Sequence, residues 1–204
     1  MGAIGRSVLV LSIAAAMAAL PAVGLAENLS GDRPTLKVGD QWKYERRDGF
    51  NKLEFSEETT VTSVSPENIG LSINGAPGRM TPDLKLLDGP RYSSDPGYQL
   101  LSFPLEVGKK WAFNTKYAIK RNSATGRAKF DVEVKGMETI KVAAGEFQAY
   151  KLEANGYLNY DSGGGSSPTA TYWYAPKAKA IVRFSWVDRR NDYVQDLVQL
   201  KLAE

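Results

Sequence analysis

L-E-V-G-K-K-W-A-F, residues Leu105 to Phe113, repeats a pattern already present at Leu36 to Tyr44 as L-K-V-G-D-Q-W-K-Y. Leu, Val, Gly and Trp coincide at a constant offset of 69 residues, and each copy opens a strand-like run. The echo predicts two related β modules. Glycine reaches positive φ without steric cost, so Gly39 and Gly108 are expected in turns after a short apolar pair. Each tryptophan then stands three residues into a strand, where a large indole anchors a core.

Working outward, the second module carries the plainest β pattern. Trp111, Phe113, Tyr117 and Ile119 share one parity, and Lys110, Asn114, Lys116 and Lys120 share the other. Phe130, Val132 and Val134 then alternate with Lys129, Asp131, Glu133 and Lys135, so the two runs form a hairpin with one buried face. In the first module, Asp48-Gly49 marks a hairpin turn between Trp42–Arg47 and Leu53–Val64. Short strands at Thr169–Tyr174, Ala180–Val187 and Val194–Leu202 end the chain, and no long helical period occurs after the first 26 residues. These features predict a mostly β protein. Its expected form is an antiparallel curved sheet, half-barrel or sandwich built from two related modules, a closed barrel being the third way to pack such strands.

The expected organisation is a signal peptide over 1–26 and a single β domain over 27–204. Within that domain, module one covers about 36–87, a linker 88–104, and module two 105–204. In the leader, Arg6 is the only charge, Val8 to Leu20 is an apolar run of 13, and Gly24 to Ala26 end in small residues. Thirteen residues fall short of the ~20 needed to span a bilayer. Export to the periplasm or medium without a membrane span follows as the expectation, with cleavage after Ala26. The remaining 178 residues carry 25 basic and 23 acidic side chains. That near-neutral, interspersed balance predicts no nucleic-acid partner. The densest basic cluster is Lys177, Lys179, Arg183, Arg189 and Arg190.

The chain has no histidine and no cysteine. It therefore lacks the usual general base, the normal ligands of zinc, copper and haem sites, and any disulfide. No metal or cofactor is expected. Serine hydrolysis by a Ser-His pair is excluded, and neither G-x-S-x-G nor S-x-x-K occurs. Gly163 to Gly165 resemble a phosphate loop only in composition, since neither Gly-Lys-Ser/Thr nor a helix pattern follows.

Taken together, G-x-x-W, V-x-A-G-x-F-x-x-Y-K over Val142–Lys151, Tyr172-Trp173-Tyr174-Ala175-Pro176 and Ile181-Val182-Arg183 resemble uncharacterised secreted proteins of Gram-negative bacteria in domain-of-unknown-function families. The resemblance covers roughly Leu36 to Leu202. It implies an exported antiparallel β protein and brings no catalytic residues with it.

What composition leaves unexplained is an aromatic supply of 4 Trp, 10 Tyr and 7 Phe, part of it beside loops. The leading expectation is a non-enzymatic protein binding an apolar or amphipathic small molecule, or another envelope protein. The candidate ligand residues are Tyr92, Tyr98, Trp111, Tyr172, Trp173 and Tyr174. Core packing alone would also account for them. Tyr172 and Tyr174 share one strand face and Trp173 takes the other. The irregular stretch Asp88–Pro104 is either a connection or a flap over such a site. Two further readings are a scaffold acting through a sheet edge and a carboxylate-dependent hydrolase drawing on Asp83, Asp88, Asp95 or Asp161.

Overall fold

The computed structural model describes residues 30–49 and 54–204. The expected signal peptide lies outside them. Thirteen strands follow in chain order: β1 (Gln41–Asp48), β2 (Glu54–Val64), β3 (Ile69–Ile73), β4 (Ala76–Met80), β5 (Leu86–Asp88), β6 (Tyr92–Tyr98), β7 (Lys110–Ile119), β8 (Ala124–Val142), β9 (Gly145–Tyr160), β10 (Gly165–Ser166), β11 (Thr169–Ala175), β12 (Ala180–Val187) and β13 (Asp192–Lys201). One 3-10 turn, Pro176–Ala178, separates β11 from β12. Among the described residues no helix is long and apolar enough to cross a membrane.

Every pairing is antiparallel, and the ring is complete. β1 to β9 pair in sequence order, then β9 pairs with β11, β11 with β12, β12 with β13, and β13 returns to β1. The result is a 12-strand barrel, with β10 a two-residue addition on β9. The mostly β, antiparallel expectation holds, and the correction is that the sheet closes fully, where the sequence predicts a curved sheet, half-barrel or sandwich. Two long pairings close the ring: β8 meets β9 from Gly126↔Tyr160 to Val142↔Gly145, and β1 meets β13 from Gln41↔Lys201 to Asp48↔Tyr193. A register shift between Val134 and Gly136 lets β8 bend without ending, so what reads as two shorter strands is one of 19 residues.

Side-chain parity decides the inside. Phe113 and Tyr117 on β7, Ala128, Phe130, Val132 and Val134 on β8, and Leu152 and Ala154 on β9 are buried, and their neighbours along each strand face out. Gly156 belongs to this pattern because the Phe130 ring lies where a β-carbon at 156 would stand.

The two L-x-V-G-x-x-W segments build the same corner. Gly39 and Gly108 take φ of +93° and +85°, and the next residue closes a turn onto Lys37 O and Glu106 O, 3.0 Å in each case. Each glycine N–H donates to a valine carbonyl, Val61 on β2 at 2.9 Å and Val134 on β8 at 2.8 Å. Each valine N–H returns to the carbonyl of Asp40 or Lys109 at 2.9 Å. Both indole N–H groups then reach a backbone carbonyl, Trp42 to Ala178 at 2.8 Å and Trp111 to Gln99 at 3.0 Å. The corners precede β1 and β7, which stand half-way round the ring from one another.

Both corners sit at one end of the barrel, which is closed. Leu36, Trp42, Ile140, Val142, Ala178 and Leu197 pack there in one apolar cluster, and Ala144 N at the tip of the β8–β9 hairpin donates to Leu197 O. Seven of the 17 residues of the Asp88–Pro104 stretch are β6, and residues 89–91 form the turn into it from β5. The segment that follows β6 lies on this closed floor, with Leu101 and Leu105 buried, Phe103 edge-on to Tyr174 at 5.5 Å, and Leu100 O accepting from Tyr172 Oη at 2.6 Å.

Candidate functional site

Above the floor the barrel is hollow. A cavity of about 600 Å³ occupies the lumen, with Leu71, Ile73, Leu86, Phe130 and Leu158 in its walls and Tyr98, Phe184, Trp186 and Tyr193 nearer the opposite end. It reaches the surface beside the β5–β6 and β12–β13 turns, where Arg91, Asp188 and Asn191 line it. Tyr92 at this mouth is 38% exposed.

Aromatic rings in the lumen wall and directly behind it are in contact with one another. Tyr172 stacks on Phe184 at 5.8 Å, Phe184 on Trp186 at 6.2 Å and Trp186 on Tyr193 at 6.5 Å. On the facing side Tyr92, Tyr98 and Phe113 meet edge to face, and Phe113 stacks on Phe130 at 5.3 Å. Such a surface suits an apolar body in any orientation, since ring faces and edges are both presented. Burial pushes Tyr193 up to about 12 and raises Tyr44 and Tyr98 further, so these three phenols are neutral at physiological pH.

Charge enters at the mouth. The Arg46 guanidinium lies 4.1 Å from the Tyr193 ring centroid and 5.6 Å from that of Phe55, and Arg91 lies 3.6 Å from Phe55. Rings and cations therefore alternate from β13 across β1 and β2 to the β5–β6 turn. Arg46 also donates through Nε and Nη2 to Gln195 Oε1, at 3.3 and 3.0 Å. Burial lowers the Arg91 pKa from its ordinary value; Glu57 works against that shift, and the like charge of Arg46 adds to it. Asp188 has its carboxylate taken up within its own turn by Trp186 Nε1, the Arg190 and Asn191 N–H groups and the Asn191 amide. At the far end of the lumen, Lys179 donates to Asp40 at 3.0 Å.

Of the six aromatic residues expected from the sequence, Tyr92 and Tyr98 line the lumen. Tyr172 and Tyr174 are fully buried inside the barrel, behind that lining. Trp111 stands beside the floor segment on its bond to Gln99 O. Trp173 is on the outer wall, donating to Glu138 at 2.6 Å with Lys151 Nζ 5.6 Å from its ring. The residues that sequence reasoning missed are Arg46, Glu57, Arg91, Phe184, Trp186 and Tyr193. A signal existed for two of them: Arg46 and Glu57 are charged positions on the apolar parity of Trp42–Tyr44 and of Thr59–Val61. The candidate carboxylates are dispersed. Asp83 pairs with Arg33, Asp88 with Lys120, and Asp161 accepts from Thr125, while Asp95 is exposed on β6. The basic cluster is dispersed too, Lys179 going to Asp40 and Arg183 to Asp196 on the outer wall. Among the described residues no group of three His, Cys, Asp or Glu could hold a metal.

The fold is similar to that of several solved structures. One, described as a "putative lipoprotein" from Parabacteroides distasonis, matches with TM-score 0.54 and 15% identity over 84% of this chain and 98% of that one. A second, described as an exported protein with a YmcC-like fold, from Bacteroides fragilis, gives 0.54 and 15% over 83% and 99%. A third, the hypothetical lipoprotein YmcC of Escherichia coli, gives 0.51 and 10% over 81% and 85%. The likeness is one of fold. No family model and no curated protein sequence matches the chain.

Proposed function

We propose that the protein is a non-enzymatic, exported binding protein that holds an apolar or amphipathic small molecule in the barrel lumen. The observation that carries this reading is the aromatic-lined cavity of about 600 Å³ that reaches the surface at one end. Its volume falls in the ~300–1,000 Å³ range of small-molecule sites. Export rests on the leader pattern of residues 1–26 and on the description of the structural neighbours as lipoproteins or exported proteins. The non-enzymatic part rests on the missing histidine and cysteine and on the separate partners of the candidate carboxylates. The sheet-edge reading is weaker because ring closure pairs each barrel strand on both sides.

The test is thermal melting with an uncharged single-chain amphiphile, 1-dodecanol or a monoacylglycerol. Stabilisation by mass action is expected, ~2.7 kcal/mol at a hundredfold excess over Kd. Thr59→Trp, which fills the lumen from β2, should abolish it while the protein stays folded. If no amphiphile of any charge stabilises the wild type, the lumen is not a binding site and the reading fails.

A further inference from the structure

The lumen reading leaves the two arginines at its mouth without a role. Neither Arg46 nor Arg91 has a carboxylate within 4 Å among the described residues, although Glu57 and Asp188 also line the cavity. The Asp188 carboxylate is occupied by the N–H groups of its own turn. Arg91 is the sharper case. Its guanidinium carries five N–H donors, none of which bonds to a described residue, and the group is held against the Phe55 ring at 3.6 Å. A guanidinium stacked on a ring keeps its N–H edge free to bind an oxyanion, which is the geometry in which arginine recognises carboxylates and phosphates. The two cations flank the same ring, so each raises the free energy of the other, and an anion between them would relieve that repulsion. Arg46 and Gln195 form one side of this position and Arg91 the other, directly above the apolar lumen.

Resting on the lumen reading, we propose that the ligand is a single-chain amphiphile with an anionic head group, its head held at the mouth by Arg46 and Arg91 and its tail among the rings of Phe184, Trp186 and Tyr193. The head group is defined by its charge and oxygen acceptors, which a fatty-acid carboxylate and an alkyl phosphate share.

The experiment compares ligands of one tail length by isothermal titration against the wild type: laurate, monododecyl phosphate and dodecyltrimethylammonium, each below its critical micelle concentration, and 1-dodecanol below its solubility limit. Inorganic phosphate is a further arm. At least one of the two anions should bind tenfold or more tightly than dodecanol, and which of them leads identifies the head group. The preference should shrink as salt rises. Arg91→Gln and Arg46→Gln should each weaken anion binding at least fivefold more than dodecanol binding, so that the preference shrinks, and Arg91→Lys should restore part of it. Melting curves establish that the variants fold, and should Arg46→Gln not fold, the Arg91 pair decides alone. Equal affinity for anion and alcohol, tighter binding of the cation, or an anion preference indifferent to both arginines overturns the proposal and leaves the lumen reading standing. Inorganic phosphate matching the dodecyl phosphate affinity also overturns it, because the tail would then contribute nothing. Absence of binding by every amphiphile removes the lumen reading itself, and this proposal with it.

Discussion

Asp40 and Lys109 occupy the same position in two copies of one backbone corner, yet they fasten it with opposite charges. The turns coincide in detail, down to Val38 and Val107, which project 59% and 61% exposed from their tips. Asp40 is fully buried and accepts from Lys37 N, Ala203 N and Lys179 Nζ at 2.9, 2.8 and 3.0 Å. Lys109 is half-buried and donates to Ser102 O and Pro104 O, both at 2.7 Å. The difference lies in what each corner joins. The first stands at the seam where β1 meets β13, and its carboxylate ties together segments 139 and 163 residues away in sequence. The second stands mid-chain, and its ammonium holds a loop five to seven residues upstream. A shared turn thus sets the direction of a strand, and the residue after its glycine determines whether the corner is a clasp between distant segments or a local brace.

Tryptophan truncation should break the comparison most visibly. Trp42 is 4% exposed within the floor cluster, whereas Trp111 is only half-buried. Trp42→Ala should cost about 4 kcal/mol, the range for a buried indole, and Trp111→Ala nearer 2. Urea unfolding of the two variants measures this. Equal losses would mean that the two corners contribute alike and that the seam has no special standing.

The charged pair comes next. Asp40→Ala leaves Lys179 and two backbone N–H groups without their acceptor, and a loss of about 3 kcal/mol is expected. Lys109→Met frees carbonyls that water can reach, for a loss of about 1 kcal/mol. Acid should separate the two corners again. Burial alone would raise the Asp40 pKa, but the N–H groups of Lys37 and Ala203 and the charge of Lys179 outweigh it and hold it below the ordinary value. With the folded pKa depressed, the stabilisation is fully present above the unfolded value of about 3.9 and is lost as pH falls through the folded one. The stability gap between wild type and Asp40→Ala should therefore close on acidification, and the gap to Lys109→Met should persist. A gap to Asp40→Ala that stays constant down to pH 2 would remove the carboxylate's ionisation from the account.

Both corners were legible in the sequence because their Leu, Val, Gly and Trp positions each carry a backbone or packing demand. Parity likewise placed Tyr172 and Tyr174 on one face and Trp173 on the other. Closure was not legible. Alternation says which face of a strand is buried and nothing about its neighbour, and the β1–β13 seam joins the first and last strands of the described residues. Gly136 hid the length of β8 by shifting its parity, and Pro96 and Gly97 disguised β6 as linker. The mouth of the lumen was partly readable from Arg46 and Glu57 on apolar parity. Arg91 sits in a turn, where no periodicity exists to be broken.

The smallest expected effect concerns the loop that Lys109 braces, and it distinguishes two tyrosines on one strand face. Tyr172 Oη donates to Leu100 O at 2.6 Å, so it fastens the same floor segment as Trp111 at Gln99 and Lys109 at Ser102 and Pro104. Tyr174 Oη, two residues on, is fully buried and has no hydrogen-bond partner among the described residues. A buried hydroxyl left unpaired costs about 1–3 kcal/mol, and a paired one contributes about 1. Tyr172→Phe should therefore lose about 1 kcal/mol and loosen the floor loop, visible as faster amide exchange of Leu101 and Leu105. Tyr174→Phe keeps the ring that meets Phe103 at 5.5 Å and removes only the orphan oxygen, so it should be neutral or slightly stabilising. The combination with Lys109→Met sharpens the comparison further. Bonds that hold one loop share their work, so Tyr172→Phe should be non-additive with Lys109→Met and additive with Asp40→Ala, whose partners lie on other segments. Additivity in both pairs would mean that the second corner is no brace, and that its lysine and the tyrosine act on the floor independently.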